Sequence, residues 1–292
     1  MKLQHAIKHP LDSAMIERLH LRSENSAVLK IIRGLIHSSD AVSRTFFGHP
    51  FLALRESEAF LHQLYGLKGA ELVEALMEHE GGTTITPHGL QHIPDDGPVV
   101  IAATHPTGMF DFAAHAAAVL KKRPDMKVVA NQEAEKFIGA DIMVSVTIDK
   151  HNRAVSGGKT HHAMLNHVKS GGALLIFGSG RVPDVRQGRL FEPAWRRGAT
   201  QISKACQAPI VAAALDARNS SAYYRTRAFA RFVSGGNDHF GAMIASLRYS
   251  AELLEKLGGQ YDVLYAPVLP PGTDPATLKH TAEGLVPGLY QT

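Results

Sequence analysis

Residues 98–111, Pro98-Val-Val-Ile-Ala-Ala-Thr-His105-Pro-Thr-Gly-Met-Phe-Asp111, decide how the rest of the chain is read. Val99 to Ala103 are β-branched or small and apolar, the pattern of a strand buried on both faces. The run stops at Thr104-His105-Pro106. From 112 to 122 the chain is Ala-rich and leads into Lys-Lys-Arg, as a helix C-terminus prefers. His105 and Asp111 therefore stand at the two ends of a strand-to-helix loop, where α/β enzymes keep their chemistry. With Gly108 between them, the loop can fold back and bring a carboxylate onto an imidazole nitrogen. Such a pair is a general base: the carboxylate fixes the tautomer and stabilises the imidazolium, and the other nitrogen takes a proton. Asp111 also reads as an N-cap of the following helix, and a cap uses only one of its oxygens.

Downstream, apolar runs predict strands at 126–130, 143–149, 173–177, 209–215 and 261–266, and helical patterns predict helices at 133–137, 159–169, 192–207, 246–257 and 275–285. Strands alternating with helices imply an α/β fold, a mostly parallel central sheet flanked by helices. Upstream, residues 1–82 read as helical, with pieces at 14–21, 27–37, 55–64 and 67–79. The second piece places Val28, Ile31, Ile32, Leu35 and Ile36 on one face, with Lys30 and Arg33 off it. Gly81-Gly82 ends the series and a short strand is expected at 83–87. The division expected is thus an N-terminal helical segment, 1–82, packed on the domain or facing a membrane, and an α/β domain, 83–292.

Composition narrows the function. The single Cys206 excludes a disulfide scaffold and fits a reducing compartment. No stretch approaches 18 consecutive apolar residues, and the N-terminus lacks the apolar run of a signal peptide. A cytoplasmic protein, at most peripheral on the inner face of a membrane, is expected. The 17 His are scattered without metal-ligand spacing, so no metal is expected. Between 181 and 231, nine Arg and Lys204 stand against Asp184, Glu192 and Asp216, a net +7 that leaves −3 for the remainder. Such a field suits an anionic partner: a phosphate-bearing cofactor, an acidic carrier protein or anionic lipid. Nucleic acid is not expected, since no recognition motif or aromatic platform appears. Two further motifs fail. Ser156-Gly-Gly-Lys159-Thr160 lacks the first Gly of a phosphate-binding loop, because Arg153 stands there, and Gly178-Ser179-Gly180 is neither a dinucleotide fingerprint nor a nucleophile elbow.

Four loops, each after an expected strand, carry a resemblance. In order they are Thr104-His105-Pro-Thr-Gly-Met-Phe-Asp111, Thr147-Ile148-Asp149-Lys150, Phe177-Gly178-Ser179-Gly180 and Ala208-Pro209-Ile210-Val211. Together they resemble the lysophospholipid (glycerolipid) acyltransferase superfamily, whose blocks read Asn-His-x4-Asp, Phe-Ile-Asp-Arg, Phe-Pro-Glu-Gly and a Val-Pro-Ile-Val-like strand. The resemblance covers roughly residues 90–225. The His-x5-Asp spacing with Pro after His, the segment around Trp195 and Arg218-Asn219-Ser220 bring it closer to the branch of lyso-ornithine-lipid acyltransferases and hemolysin-like proteins. Two departures stand out: Thr104 replaces Asn, and Gly178-Ser179 replaces the Pro-Glu of the third block. In members that use glycerol phosphate, that Glu helps bind the acceptor, so its loss counts against such an acceptor.

The resemblance implies that His105, oriented by Asp111, deprotonates the hydroxyl of a lysolipid-like acceptor, which attacks the thioester of acyl-carrier protein or acyl-CoA. It implies no bound cofactor. It places substrate at Thr104, Thr107, Gly108, Asp149, Lys150, Ser179, Gly180, Arg181 and Pro209. Lys150 and Arg181 are the candidates for a phosphate or carboxylate, and N–H groups around Gly180 are the candidates for an oxyanion. Peripheral contact with anionic membrane is expected through the 27–37 helix or the basic face. Two other functions share these residues: a thioester hydrolase or acyltransferase to a soluble amine or alcohol, and a non-catalytic lipid- or carrier-binding protein. The intact His105/Asp111 pair argues against the last.

Overall fold

The computed structural model describes residues 26–47, 50–131, 134, 138–148, 154–155 and 158–291. Its elements are, in chain order, α1 (Ser26–Phe47), α2 (Leu54–Gln63), α3 (Gly69–Glu78), β1 (Thr84–His88), β2 (Val99–Ala103), α4 (Met109–Val119), β3 (Lys127–Asn131), β4 (Met143–Ile148), β5 (Ala154–Val155), α5 (Gly158–Lys169), β6 (Ala173–Phe177), β7 (Asp184–Arg186), β8 (Arg189–Phe191), α6 (Gly198–Cys206), β9 (Ile210–Leu215), α7 (Ser221–Val233), α8 (Asp238–Ala245), α9 (Tyr249–Leu254), β10 (Gln260–Tyr265) and α10 (Pro275–Gly284). The expected helices at 14–21 and over most of 133–137 lie outside the described residues.

Eight strands form one sheet in the order β1-β10-β9-β2-β6-β3-β4-β5. β9, β2, β6, β3 and β4 are mutually parallel, and the antiparallel pairings are β10 with β9 and β5 with β4. A parallel sheet covered on both faces needs continuous apolar strands, and every residue of β2 and β9 is buried. Ala102, Ala103 and Ala212 to Ala214 keep these two central strands thin, so helices lie close on them. On one face Val100, Leu174 and Ile210 pack with Met164 and Val168 of α5 and with Ala199 and Ile202 of α6. α4 contacts β1, β9, β10 and α3, and buries Ala113, Ala114, Ala116 and Ala118.

The chain divides into two compact units: Gly66–Asn219 with Lys256–Thr292, which holds the sheet, and the segment up to Tyr65 with Ser220–Glu255, which is helical. The division at 82 expected from sequence therefore shifts. α3 joins the sheet unit because Leu72, Val73 and Leu76 bury beside α4. Residues 220–255 join the helical unit, and α7 and α8 were not expected at all. That unit is stitched by buried polar groups. Asp40 accepts the Leu54 N–H at 2.9 Å. Arg248, fully buried, lies over the Phe51 ring and pairs with Glu252 and Glu255.

Two other expectations move. The helix expected at 112–122 begins earlier, at Met109. The helix expected at 192–207 begins only at Gly198, because Pro193 follows Glu192 and the Arg196 N–H is drawn to Gly178 O at 2.9 Å. The hairpin β7–β8 precedes it.

Candidate active site

β2 ends at Ala103, and Thr104 continues its ladder by one bond, its N–H reaching Ala213 O at 3.1 Å. Pro106 forbids a further ladder bond, and the chain leaves the sheet at His105. It enters α4 through Gly108, whose φ of 91° lies where only glycine is at ease. That turn folds Asp111, in the first turn of α4, back over the loop. Its carboxylate is fully buried and accepts the Thr107 N–H at 3.1 Å on each oxygen, the Gly108 N–H at 2.9 Å and the Thr107 hydroxyl. Asp111 thus satisfies donors at the helix N-terminus and still places Oδ2 2.8 Å from His105 Nδ1. Both readings of this residue hold at once.

With Nδ1 at the carboxylate, proton acceptance by His105 falls to Nε2. The ring is 19% exposed, the only titratable side chain of the pair that meets solvent. One of its faces is stacked on Phe177, with centroids 4.4 Å apart and planes 25° apart. Phe177 can reach it because β6 is the neighbour of β2 and Phe177 is in register with Ala103. One turn beyond Asp111, His115 is fully buried, its Nδ1 3.1 Å from the Tyr265 hydroxyl and its Nε2 without a partner. Burial pushes His115 down to about 4. The Asp111 charge opposes this and the neighbouring His105 adds to it. His115 is therefore neutral at neutral pH and leaves the Asp111 charge to His105.

The remaining predicted residues fall into three groups. Thr107 and Gly108 hold Asp111, as described. Ser179, Gly180 and Arg181 lie in the turn after β6, beside the Phe177 ring. Ser179 is buried and donates to Arg181 O at 2.9 Å, whereas Gly180 and Arg181 are exposed. Thr104 is buried in the same region, with its hydroxyl toward Tyr290. Pro209 is not brought to the site: it precedes β9 and its carbonyl accepts the Val100 N–H at 3.0 Å, at the sheet edge opposite His105. Asp149 and Lys150 lie outside the described residues.

The oxyanion expectation at Gly180 meets a physical objection. The Gly178 N–H donates to Ala103 O at 2.9 Å, the Gly180 N–H to Phe177 O at 3.1 Å and the Arg181 N–H to Ser179 Oγ at 3.2 Å. Amides already spent inside the protein do not serve a developing oxyanion.

Phe177 was quoted from sequence only as the start of the third block, and His115, Tyr265 and Tyr290 were not singled out. His115 carried a signal, the i, i+4 spacing from Asp111 on one helix. Tyr265 and Tyr290 come from the C-terminal part of the chain and carried none. Among the described residues, no group of three or more His, Cys, Asp or Glu is placed to hold a metal ion.

Residues 84–216 match the family described as Acyltransferase. Among solved structures, the crystal structure of the 1-acyl-sn-glycerophosphate (LPA) acyltransferase, PlsC, from Thermotoga maritima aligns with a TM-score of 0.45 and 13% identity, covering 88% of this chain and 95% of that one. No curated protein matches the chain in sequence.

Proposed function

We propose that the chain is an acyltransferase that moves a fatty acyl group from an acyl-carrier-protein or coenzyme A thioester to the hydroxyl of a lysolipid-like acceptor, a reading supported by the match of residues 84–216, from β1 to the end of β9, to the family described as Acyltransferase. The observation that carries this reading is His105 Nδ1 held 2.8 Å from the buried Asp111 carboxylate, with the ring open to solvent at the sheet edge. His105 Nε2 takes the acceptor's hydroxyl proton as its oxygen attacks the thioester carbonyl. The tetrahedral intermediate then collapses, the C–S bond breaks, and the thiolate takes the proton back from the imidazolium. Atoms and charge balance with no resident cofactor, so thioester and acceptor are the only reactants. General-base help of this kind is worth about 10²–10⁴ in rate.

The acceptor we favour is of the lyso-ornithine-lipid type. The one-residue-longer His-x5-Asp spacing and Gly178-Ser179 in place of Pro-Glu support it over glycerol phosphate. Exposed Ile31, Leu35 and Val42 on α1 support contact with a membrane surface, on the cytoplasmic side.

The test offers long-chain acyl-CoA and acyl-carrier protein with a panel holding lyso-ornithine lipid, lysophosphatidate and a soluble amine, and identifies products by mass spectrometry. An ester formed on lyso-ornithine lipid supports the reading. Phosphatidate alone would refute the acceptor. Free fatty acid alone, whatever the acceptor, would make the protein a hydrolase.

A further inference from the structure

A carboxyl reaches the turn after β6 from another part of the chain. Glu192, immediately after β8, is 3% exposed. Its Oε1 accepts the Trp195 indole N–H at 2.9 Å, and its Oε2 is buried near Ser179 without a hydrogen-bond partner. Ser179 has one proton and donates it to Arg181 O at 2.9 Å, while its oxygen also accepts the Arg181 N–H at 3.2 Å. With that proton engaged, Ser179 offers no donor to Glu192 Oε2, and a buried carboxyl oxygen without a donor disfavours the charged form.

Of the charged groups near Glu192 among the described residues, the one cation is engaged elsewhere. Tyr290, on the C-terminal stretch that pairs with Leu190, is buried with its hydroxyl unpartnered. On α10, Glu283 adds a second carboxyl, and Lys279 is spent on it at 2.6 Å. Burial, helped by Glu283, pushes Glu192 up to about 8 against the pull of Ser179, Trp195 and Lys279.

We infer that Glu192 is a positioning residue of the active site, a buried carboxyl that holds Trp195 on Gly178 and so fixes the turn after Phe177 under His105. The inference rests on the proposed role of His105. The mechanical path is short. The Trp195 ring held by Glu192 lies so close on Gly178 that a Cβ there would come within 2.0 Å of it. The residue before Gly178 is Phe177, whose ring carries His105 at 4.4 Å. Ionisation of Glu192 places an unpartnered buried charge beneath the Trp195 ring that packs on Gly178, which loosens the turn.

Trp195 is the only tryptophan in the chain, so its emission reports on Glu192 without any activity assay. The intact protein is titrated from about pH 6 to pH 10, a span that brackets a carboxyl raised by burial. The expected result is an emission transition centred near pH 8 in the wild type, absent in Glu192→Gln. Acyl transfer in the same buffers should fall through the same midpoint in the wild type. Glu192→Gln keeps the neutral hydrogen bonds and should stay within about twofold of wild type at pH 7 while losing that alkaline limb, whereas Glu192→Ala should drop kcat about tenfold with KM little changed. An emission titration with no transition, a transition that survives in Glu192→Gln, or an unchanged alkaline limb in that variant would overturn the inference. The wild-type titration decides even if a variant fails to fold. Full activity in His105→Ala would instead sink the role of His105, and the emission result would stand apart from it.

Discussion

At the scale of single residues, the candidate site consists of one partly exposed imidazole and a buried shell around it. Asp111 is held by donors from Thr107 and Gly108, so replacing it by Asn keeps the shape but offers an amide where His105 Nδ1–H needs an acceptor. Asp111→Asn should lower kcat by about 10²–10⁴ and also cost about 1–3 kcal/mol in denaturant melts, since its NH2 would face a buried donor where a carboxylate oxygen accepted one. His115 predicts a pH effect on stability. Its folded pKa, about 4, lies below its unfolded value near 6.5, so the unfolded chain binds the extra proton first. Its contribution is present above pH 6.5 and is lost as pH falls toward 4. Denaturant melts across that window should show the decline, and His115→Gln should flatten it. Glu192 has the opposite sign: with its folded value raised to about 8 from 4.5, its contribution is full below 4.5 and is lost as pH rises through 8. Gly178→Ala would drive a methyl group into the Trp195 ring and should cost about 1–3 kcal/mol in denaturant melts, with a loss of activity alongside.

At the scale of elements, β2 and β9 were legible because a strand buried on both faces is an apolar run, and the loop after β2 was legible because His105, Pro106, Gly108 and Asp111 each carry local backbone or chemical meaning. The expected strands at 126–130, 173–177 and 209–215 match β3, β6 and β9 to within a residue or two. The rest was hidden where tertiary contacts override local pattern. Glu192 to Trp195 has helical composition but is held extended over Gly178. α7 and α8 lack a clean apolar stripe: Phe229, Phe232 and Val233 are exposed while Arg227 is buried against Asp238. Arg123 shows the same limit. In sequence it closes Lys-Lys-Arg as a helix-end cation. In the structure it is 2% exposed, pairs with Asp125 and donates to the carbonyls of Pro94, Gly97 and Gly171 at 2.9–3.0 Å, joining three loops at the sheet edge away from His105. Its guanidinium holds the Asp125 carboxyl below the usual range. Asp125 is 40% exposed, so the cost of removing Arg123 lies in the carbonyls it leaves without a donor, and Arg123→Ala should lose about 1–3 kcal/mol in urea unfolding.

At the scale of the whole molecule, the chain forms two compact units. The sheet unit carries His105 and Asp111, and the helical unit exposes apolar side chains that contribute nothing to the fold of the sheet. Among the described residues no helix is long and apolar enough to cross a membrane. The basic stretch from 181 to 231 is shared between the units, and Arg227 and Arg231 within it are turned toward Asp238. For the helical unit, replacing Ile31, Leu35 and Val42 together by Ser should reduce sedimentation with anionic vesicles while leaving turnover of a water-soluble acceptor within about twofold, since surface substitutions of this kind change stability little. Vesicle binding unchanged in that variant would remove α1 from the docking surface.

The most direct test of the central claim measures thiol release from acyl-CoA and acyl-carrier protein by the wild type and His105→Ala, with and without lysolipid. The account predicts release that depends on acceptor and falls by about 10²–10⁴ in His105→Ala. Equal release by the two proteins would contradict it, because His105 is where the sheet edge, the Asp111 carboxylate and the Phe177 ring converge.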